Sequence, residues 1–329
     1  MKRLKKIPKA SEAHFVRQSG VQNRGGGHGS RGHRAEGVVA ENSSEGVPGR
    51  GNQPFPLPMK LSIVVVNYNH KYFPRMCVEA IEKSKTTFPY EVIFVDNHSS
   101  DESLQYLREI HEEGRVRLIE SGLNLGYGKG NNLGVRQAKG EYIIISNPDI
   151  FVHPDTMQKL VEYMEAHPDV GLAGPRLRYY NGQVQPSCRR HMNFMDLIIK
   201  RTFLRQLPYF KKRLKSYLMD DFDHENIQEV DLITGAYFIM RRELYRHIRG
   251  FDERYFLFME DYDLCRTVHQ KGYKVIYYPV AEAEHYHKRL SGGNIFWLLT
   301  RRVFWIHVSS AFKYFWKWRG KGLKPQKKS

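Results

Sequence analysis

Between Leu61 and Ser146 the chain repeats one pattern four times: a short apolar, β-branched run, then a stretch with helical spacing. LSIVVV (61–66), EVIFVD (91–96), VRLIES (116–121) and EYIIIS (141–146) read as strands, the near-continuous runs expected when both faces are buried. Helices are expected over Phe73–Ser84, over SLQYLREIHEEG, and over NNLGVRQAKG ending at Gly140. Ser99 or Asp101 can cap the second of these, and Gly114 stops it. Such alternation admits few architectures. It predicts an α/β fold, a doubly wound, mostly parallel sheet flanked by helices. The second half is more mixed. TMQKLVEYMEA (156–166) is an amphipathic helix, and VGLAGPRLRYYNGQV suggests a strand and a hairpin. Residues 188–219 read as helical and partly mobile, and further strands and helices follow up to Pro279.

Open parallel sheets bind ligands beyond the carboxyl ends of their strands. The first strand is followed by Asn67, Tyr68 and Asn69, and the second closes on Asp96, Asn97, His98 and Ser99. After the third come Asn124, Gly126, Gly128, Gly130, Asn131 and Asn132, and after the fourth Asn147, Pro148 and Asp149. Singly, each is as well explained as a turn residue or helix cap. Together they deliver Asn and Asp to one edge four times over.

The glycine-rich piece GLNLGYGKGNNLG lets backbone N–H groups approach a phosphate. It follows the third strand and has Asn131 where a dinucleotide fingerprint needs its third glycine, which argues against an NAD-dependent dehydrogenase. No G-x-x-x-x-G-K-[ST] occurs, which disfavours a P-loop NTPase. Asn147 and Asp149 flank a proline turn that can either hold a hard cation or simply enter a helix. GFDERYFLFMEDYDLC (250–265) carries five carboxylates among aromatics. Glu260, Asp261 and Asp263 fall at an expected helix start, where the dipole favours acids whatever their function. His285 and His287 follow a strand ending near Pro279, which makes His285 a metal-ligand candidate.

Residues 1–57 lack apolar periodicity and contain KRLKKIPK and RGGGHGSRGHR, the composition of a disordered basic leader. The net charge of +17 points to an anionic partner, but much of it sits in the two tails and no specific nucleic-acid module is visible. Three widely spaced cysteines suggest neither a zinc site nor a disulfide framework and fit a reducing compartment. No apolar run approaches the roughly 20 residues that span a bilayer. IFWLLTRRVFWIHVSSAFKYFWKW (295–318) interleaves aromatics with cations. It reads either as a membrane-interface helix or as a helix packed on the domain.

The succession VVVNYN, FVDNHSSD, NLGYGKGNN, SNPD, TGAYFIMRRE, GFDERYFLFMEDYDLC and H-Y-H-x-x-x-S closely resembles family-2 inverting glycosyltransferases of the GT-A fold, nearest the bacterial rhamnosyltransferase type. Seven motifs in order, over about residues 60–315, carry that resemblance, and residues 1–57 have no counterpart in it. It implies a donor half over about 60–150, an acceptor and catalytic half over about 151–293, and an amphipathic helical segment and tail over 294–329. It implies that Asn67, Tyr68 and Asp96 contact base and ribose, with Asn97 and Ser99 supporting that loop. Asn124, Gly126 and Asn131 or Asn132 would cradle ribose and diphosphate. Asp149 matches the last residue of the family's D-x-D motif, whose first Asp is Asn147 here, so His285 gains weight as second ligand of a divalent cation, Mg or Mn. Asp261 matches the catalytic base and Glu260 its neighbour, and the helix start is expected to keep Asp261 ionised. The implied reaction moves a sugar, L-rhamnose from dTDP-rhamnose, from a nucleotide-sugar donor to a lipid-linked saccharide acceptor in polysaccharide synthesis. Its implied setting is cytoplasmic, peripheral on the inner face of the cytoplasmic membrane. A UDP- or GDP-sugar donor, an inactive sugar-nucleotide-binding relative and a basic nucleic-acid-binding protein are the alternatives.

Overall fold

The structure, a computed structural model, describes residues 58–201, 206–286 and 302–321. The basic leader and His287 lie outside the described residues. β1 (Leu61–Asn67), β2 (Tyr90–Asp96), β3 (Arg117–Glu120) and β4 (Tyr142–Ser146) pair in parallel in the order β3-β2-β1-β4. α1 (Phe73–Glu82), α2 (Ser103–Glu112) and α3 (Tyr127–Gln137) make the crossovers. β5 (Ile150–Val152), α4 (Thr156–Ala166) and β6 (Val170–Arg178) follow. Next come β7 (Cys188–Arg189), α5 (Phe194–Arg201), α6 (Pro208–Leu218), β8 (Gln228–Glu229), β9 (Leu232–Ile233), β10 (Tyr237–Arg241) and α7 (Arg242–His247). α8 (Glu260–Gln270), β11 (Lys274–His285) and α9 (Arg302–Trp318) complete the described elements. The sheet runs β3-β2-β1-β4-β10-β6-β11-β5, with β8 beside β11. β10 is antiparallel to both neighbours, whereas β6 and β11 are parallel to each other. β7 and β9 form a separate two-stranded ribbon.

The apolar runs are continuous because the sheet has a core on each face. Ile63 and Val65 belong to one core with Phe94, Leu107 and Met157. Val64, between them, belongs to the other with Ile93, Val135 and Leu264. The register sets the strand ends level: Asn67 pairs with Asp96, and Asp96 with Glu120. Three neighbouring strands therefore release their polar residues at one edge.

α3 departs from expectation. It starts at Tyr127, not Asn131, so most of the glycines read as a phosphate cradle lie inside a helix. Their spacing permits close helix–sheet packing instead. A Cβ on Gly134 would stand 2.4 Å from Val64 Cγ1, and one on Gly130 would stand 3.1 Å from Val66 Cγ1. The segment 188–219 contains β7, α5 and α6 among its described residues.

α9 packs on the domain through Ala311, Tyr314 and Trp318, in a small core with Tyr217, Tyr255 and Met259. Trp305, Val308, Phe312 and Trp316 form an exposed stripe along the helix. Among the described residues no helix is long and apolar enough to cross a membrane. All three cysteines are buried and free.

If Gly134 sets the distance between α3 and β1, Gly134→Ala will destabilise the fold by about 1–3 kcal/mol through overpacking, read by urea denaturation. An unchanged midpoint would show that the helix can withdraw at no cost.

Candidate functional site

The first corner of the site lies where β1 and β2 end. The Asn67 amide donates to Asp96 Oδ1 at 2.9 Å and reaches Ser103 Oγ at 2.8 Å and Ser99 Oγ at 3.1 Å. Ser99 N–H donates to Asp96 Oδ2 at 2.9 Å, so the buried Asp96 carboxylate is held through both oxygens. Asn69 and His98 take left-handed φ angles of 56° and 67°, bending both loops away from their strands. Tyr68 stands exposed beside them. Ser103 belongs to this network although nothing in the sequence singled it out.

Asn97 and Asn124 grip Gly126 from its two sides. The Asn97 amide donates to Gly126 O, and Gly126 N–H donates to Asn124 Oδ1, both at 2.9 Å. Gly126 has φ 81°, and a Cβ there would meet Phe256 O at 2.2 Å, so this turn requires glycine. Asn131 donates to Tyr127 O at 3.0 Å. Asn132 is committed to the protein: its amide donates to Phe251 O and Glu253 Oε1, and its oxygen accepts from Phe251 N–H and Tyr245 OH. The buried amide oxygens of Asn67, Asn97 and Asn131 accept no hydrogen bond. Buried acceptors of this kind are costly unless something donates to them, and ribose hydroxyls or base N–H groups are suitable donors.

The second corner is the Asn147-Pro148-Asp149 turn between β4 and β5. Asn147 N–H donates to Ala236 O at 2.8 Å, and Asp149 O accepts from Tyr286 N–H at 2.9 Å. His285 ends β11, opposite Ile150, and its Nε2 lies 3.4 Å from Asp149 Oδ1. Its Nδ1 lies 2.9 Å from Gln185 Oε1. In the tautomer that donates Nδ1–H to Gln185, Nε2 turns a lone pair toward Asp149 Oδ1, which accepts no hydrogen bond. Two electron donors thus converge, the chemistry of a cation site, with Gln185 fixing the ring. Gln185 reaches in from the hairpin after β6, and no local pattern marked it. Among the described residues no group of three or more His, Cys, Asp or Glu could hold a metal ion.

The third corner opens α8. Phe258 and Met259 are consecutive left-handed residues, φ 69° and 70°, which turn the chain sharply from the aromatic run into the helix. Such conformations cost about 1–3 kcal/mol each and persist where the surroundings enforce them. Glu260 is buried and its Oε2 has no hydrogen-bond partner. Burial, with the Asp261 charge adding to it, pushes its carboxyl up to about 8. Half-buried Asp261 accepts Gly235 N–H at 3.2 Å and Tyr262 N–H at 2.9 Å. Burial raises its carboxyl too, against those two N–H groups, so the helix start alone does not set its charge. The remaining carboxylates of this segment serve elsewhere. Asp252 and Asp263 bind Lys317 of α9, and Glu253 faces Asn132, Lys129 and Arg136.

The second and third corners meet, together with the start of α3, at one loop between β9 and β10. Gly235 N–H holds Asp261, Gly235 O accepts the Tyr127 hydroxyl, and Ala236 O accepts Asn147 N–H. Comparison with known proteins gives the family and the fold. A sequence profile of glycosyl transferase family 2 matches residues 62–249. The chain belongs to glycosyl transferase family 2. This glycosyltransferase is 31% identical over 223 residues to the N-acetylglucosaminyl-diphospho-decaprenol L-rhamnosyltransferase of Mycobacterium tuberculosis, spanning 64% of this chain and 70% of that one. It is 25% identical over 265 residues to rhamnosyltransferase WbbL of Escherichia coli K12, spanning 77% and 91%. A crystal structure of GalNAc-T7 with UDP, GalNAc and Mn2+ matches with a TM-score of 0.61 at 16% identity, over 80% of this chain and 49% of that one. The glycosyltransferase therefore has the GT-A fold, and it spans about half the length of GalNAc-T7.

The raised Glu260 carboxyl fixes the sign of a stability effect. The unfolded chain releases this proton near 4.5 and the folded chain near 8, so stability falls as pH rises through that window. Glu260→Gln will therefore melt at least about 2 °C above wild type at pH 9, with the gap closing toward pH 5. Parallel melting curves across that range would mean that Glu260 ionises in the folded protein as easily as in water.

Proposed function

We propose that this glycosyltransferase moves L-rhamnose, with inversion, from dTDP-rhamnose to a lipid-linked saccharide acceptor. One observation carries the reading: a single loop, Gly235–Ala236, is bonded at once to the Asp261 carboxylate and to the turn that bears Asp149. Base and leaving-group site are thereby held in one frame. The names of the two bacterial relatives favour a rhamnosyl donor, and the name of the mycobacterial one favours an acceptor on a polyprenyl diphosphate. A UDP- or GDP-sugar donor is the second reading, and the UDP and Mn2+ in the GalNAc-T7 structure support it.

In the proposed step the acceptor hydroxyl oxygen forms a bond to the anomeric carbon while the bond from that carbon to the diphosphate oxygen breaks. The hydroxyl proton passes to Asp261, and the nucleoside diphosphate leaves on the opposite face. A carboxyl raised by burial is a stronger base than one in water, which suits it to take that proton late in the step. Glu260 in its acid form places no second charge beside Asp261. Asn67, Asp96 and Ser99 order the base and ribose pocket, with Tyr68 at its mouth. Asn97, Asn124 and Gly126 shape the diphosphate loop, and Asn131 lies in the second turn of α3 behind it. Asn132 and Asn147 position that loop and the metal turn. A divalent cation, Mg2+ or Mn2+, on Asp149 and His285 would neutralise charge on the departing diphosphate. The exposed aromatic stripe of α9, with Arg302, Arg319 and Lys321 exposed along the same segment, supports peripheral attachment to the inner face of the cytoplasmic membrane.

Asp261→Asn is expected to lower turnover about 10²–10⁴-fold while nucleotide-sugar binding persists. Wild-type turnover in that variant would remove Asp261 from the role of base. In a panel of nucleotide sugars with and without Mn2+ or Mg2+, dTDP-rhamnose with metal should raise the melting temperature most, and Asp149→Asn should abolish the metal-dependent part. A larger shift with a UDP- or GDP-sugar would reassign the donor, and no shift with any sugar nucleotide would overturn the reading.

A further inference from the structure

One face of α9 lies between its packed side, where Ser310 donates to Leu257 O at 2.9 Å, and its exposed stripe, with which it shares Trp305. It lines a groove of about 230 Å³ whose far wall is Phe256. From α9 come Arg302, Trp305, Ile306, Ser309 and Lys313, at the i, i+3, i+4, i+7 and i+11 spacing of one helical face. The groove is therefore apolar on its floor and wall, with a cation at each end. Lys313 donates one N–H to Arg254 O at 2.8 Å, which fixes the ammonium at the groove and leaves two further donors. Trp305 belongs both to the groove and to the exposed stripe, so the groove opens directly onto the face read above as meeting lipid.

Its other side reaches the reacting centre. Phe256 O accepts Tyr127 N–H at 2.9 Å, its ring and carbonyl close over Gly126, and it precedes Glu260 by four residues. A ligand lying in the groove thus has one end at the lipid-facing stripe and the other one residue's thickness, that of Phe256, from the Gly126 loop. We infer that this groove binds the phosphate-bearing end of a polyprenyl-diphosphate-linked acceptor. Its first isoprene units lie against Phe256, Trp305 and Ile306, and its phosphate charge meets Arg302 and Lys313. The inference rests on the transferase reading above and adds the place where the acceptor's lipid carrier is held. The groove is distinct from the Gly126 loop, because Phe256 stands between them. Charged guanidinium and ammonium donors match phosphate, and the apolar wall matches the chain that a free phosphate lacks.

The test uses the full chain with farnesyl diphosphate as probe, followed by tryptophan fluorescence in saturating nucleoside diphosphate so that the donor site is blocked. Farnesyl diphosphate should bind at least about tenfold more tightly than either inorganic diphosphate or farnesol, since each contributes only half of the recognition. Arg302→Gln with Lys313→Gln should weaken it about tenfold or more, and Trp305→Ser should do the same, with folding of each variant read from its melting temperature. Equal affinity for inorganic diphosphate, loss of binding in nucleoside diphosphate, or unchanged affinity in both variants would overturn the proposal. So would variants that lose binding to anionic phosphatidylglycerol vesicles yet keep farnesyl diphosphate, since the face would then be a membrane contact only. Metal-dependent binding of a nucleotide sugar in the same preparations separates failure of this groove from failure of the transferase reading.

Discussion

The site depends on the backbone of one residue, Gly235. A carboxylate removed from water must be given donors, and Asp261 finds one in the Gly235 N–H. The same residue's carbonyl takes the Tyr127 hydroxyl at the start of α3, and the next carbonyl takes the N–H of Asn147. Helix α8, helix α3 and the β4–β5 turn come from distant parts of the chain, and these main-chain groups are what they share. The approach is close: a Cβ on Gly235 would stand 3.3 Å from that of Asp261 and 3.5 Å from the Tyr127 ring. A side chain here would press on the carboxylate and on the helix that follows the Gly126 turn.

The C-terminal helix is tied to the same frame from the other side. Lys317 sits between two carboxylates, 2.6 Å from Asp263 and 2.8 Å from Asp252, and Trp318 Nε1 donates to Asp263 at 2.8 Å. Burial works against ionisation of Asp252, but hydrogen bonds from Arg254 and Lys317 outweigh it and hold its carboxyl well below the usual range. Burial is the larger effect at Asp263 and raises its carboxyl, so Lys317 and Trp318 offset much of a desolvation that would otherwise be unfavourable. Asp263 lies two residues beyond Asp261 on the same helix. The sequence left open whether α9 packs on the domain or faces outward. Packing through Tyr314 and Trp318 occupies one face and leaves the stripe from Trp305 to Trp316 on another.

What was legible follows from locality. Strands buried on both faces write themselves as unbroken runs such as SIVVV, and level register places whatever follows those runs on one edge. Asn67, Asp96 and Asn147 could therefore be assigned to that edge without coordinates. Gln185 and Ser103 could not. Each acts through a partner 100 or 36 residues away, and nothing in its neighbours differs from an ordinary polar loop. Asn132 shows the opposite failure. An asparagine after a strand looks the same whether its amide meets a ligand or, as here, the backbone of Phe251. The start of α3 is hidden in the sequence because glycines usually interrupt helices, and here their lack of side chains is what brings the helix against Val64 and Val66.

The replacement of a first Asp by Asn147 gives the proposed cation corner a particular electrostatic character. One carboxylate and one neutral imidazole leave a bound dication with net positive charge, whereas two carboxylates would cancel it. The hold on a bare cation is correspondingly weaker, but the uncompensated charge attracts a diphosphate. Cation and nucleotide sugar then favour each other's binding, and by linkage the favour is equal in both directions. Proton distribution at the other corner follows the same economy of charge. Burial raises both adjoining carboxyls, Glu260 up to about 8, and Asp261, with Gly235 N–H on it, is the better placed of the two to carry a negative charge. In the proposed reaction the start of α8 would thus offer one negative charge where the proton leaves, and a dication on Asp149 and His285 would offer one surplus positive charge where the diphosphate departs.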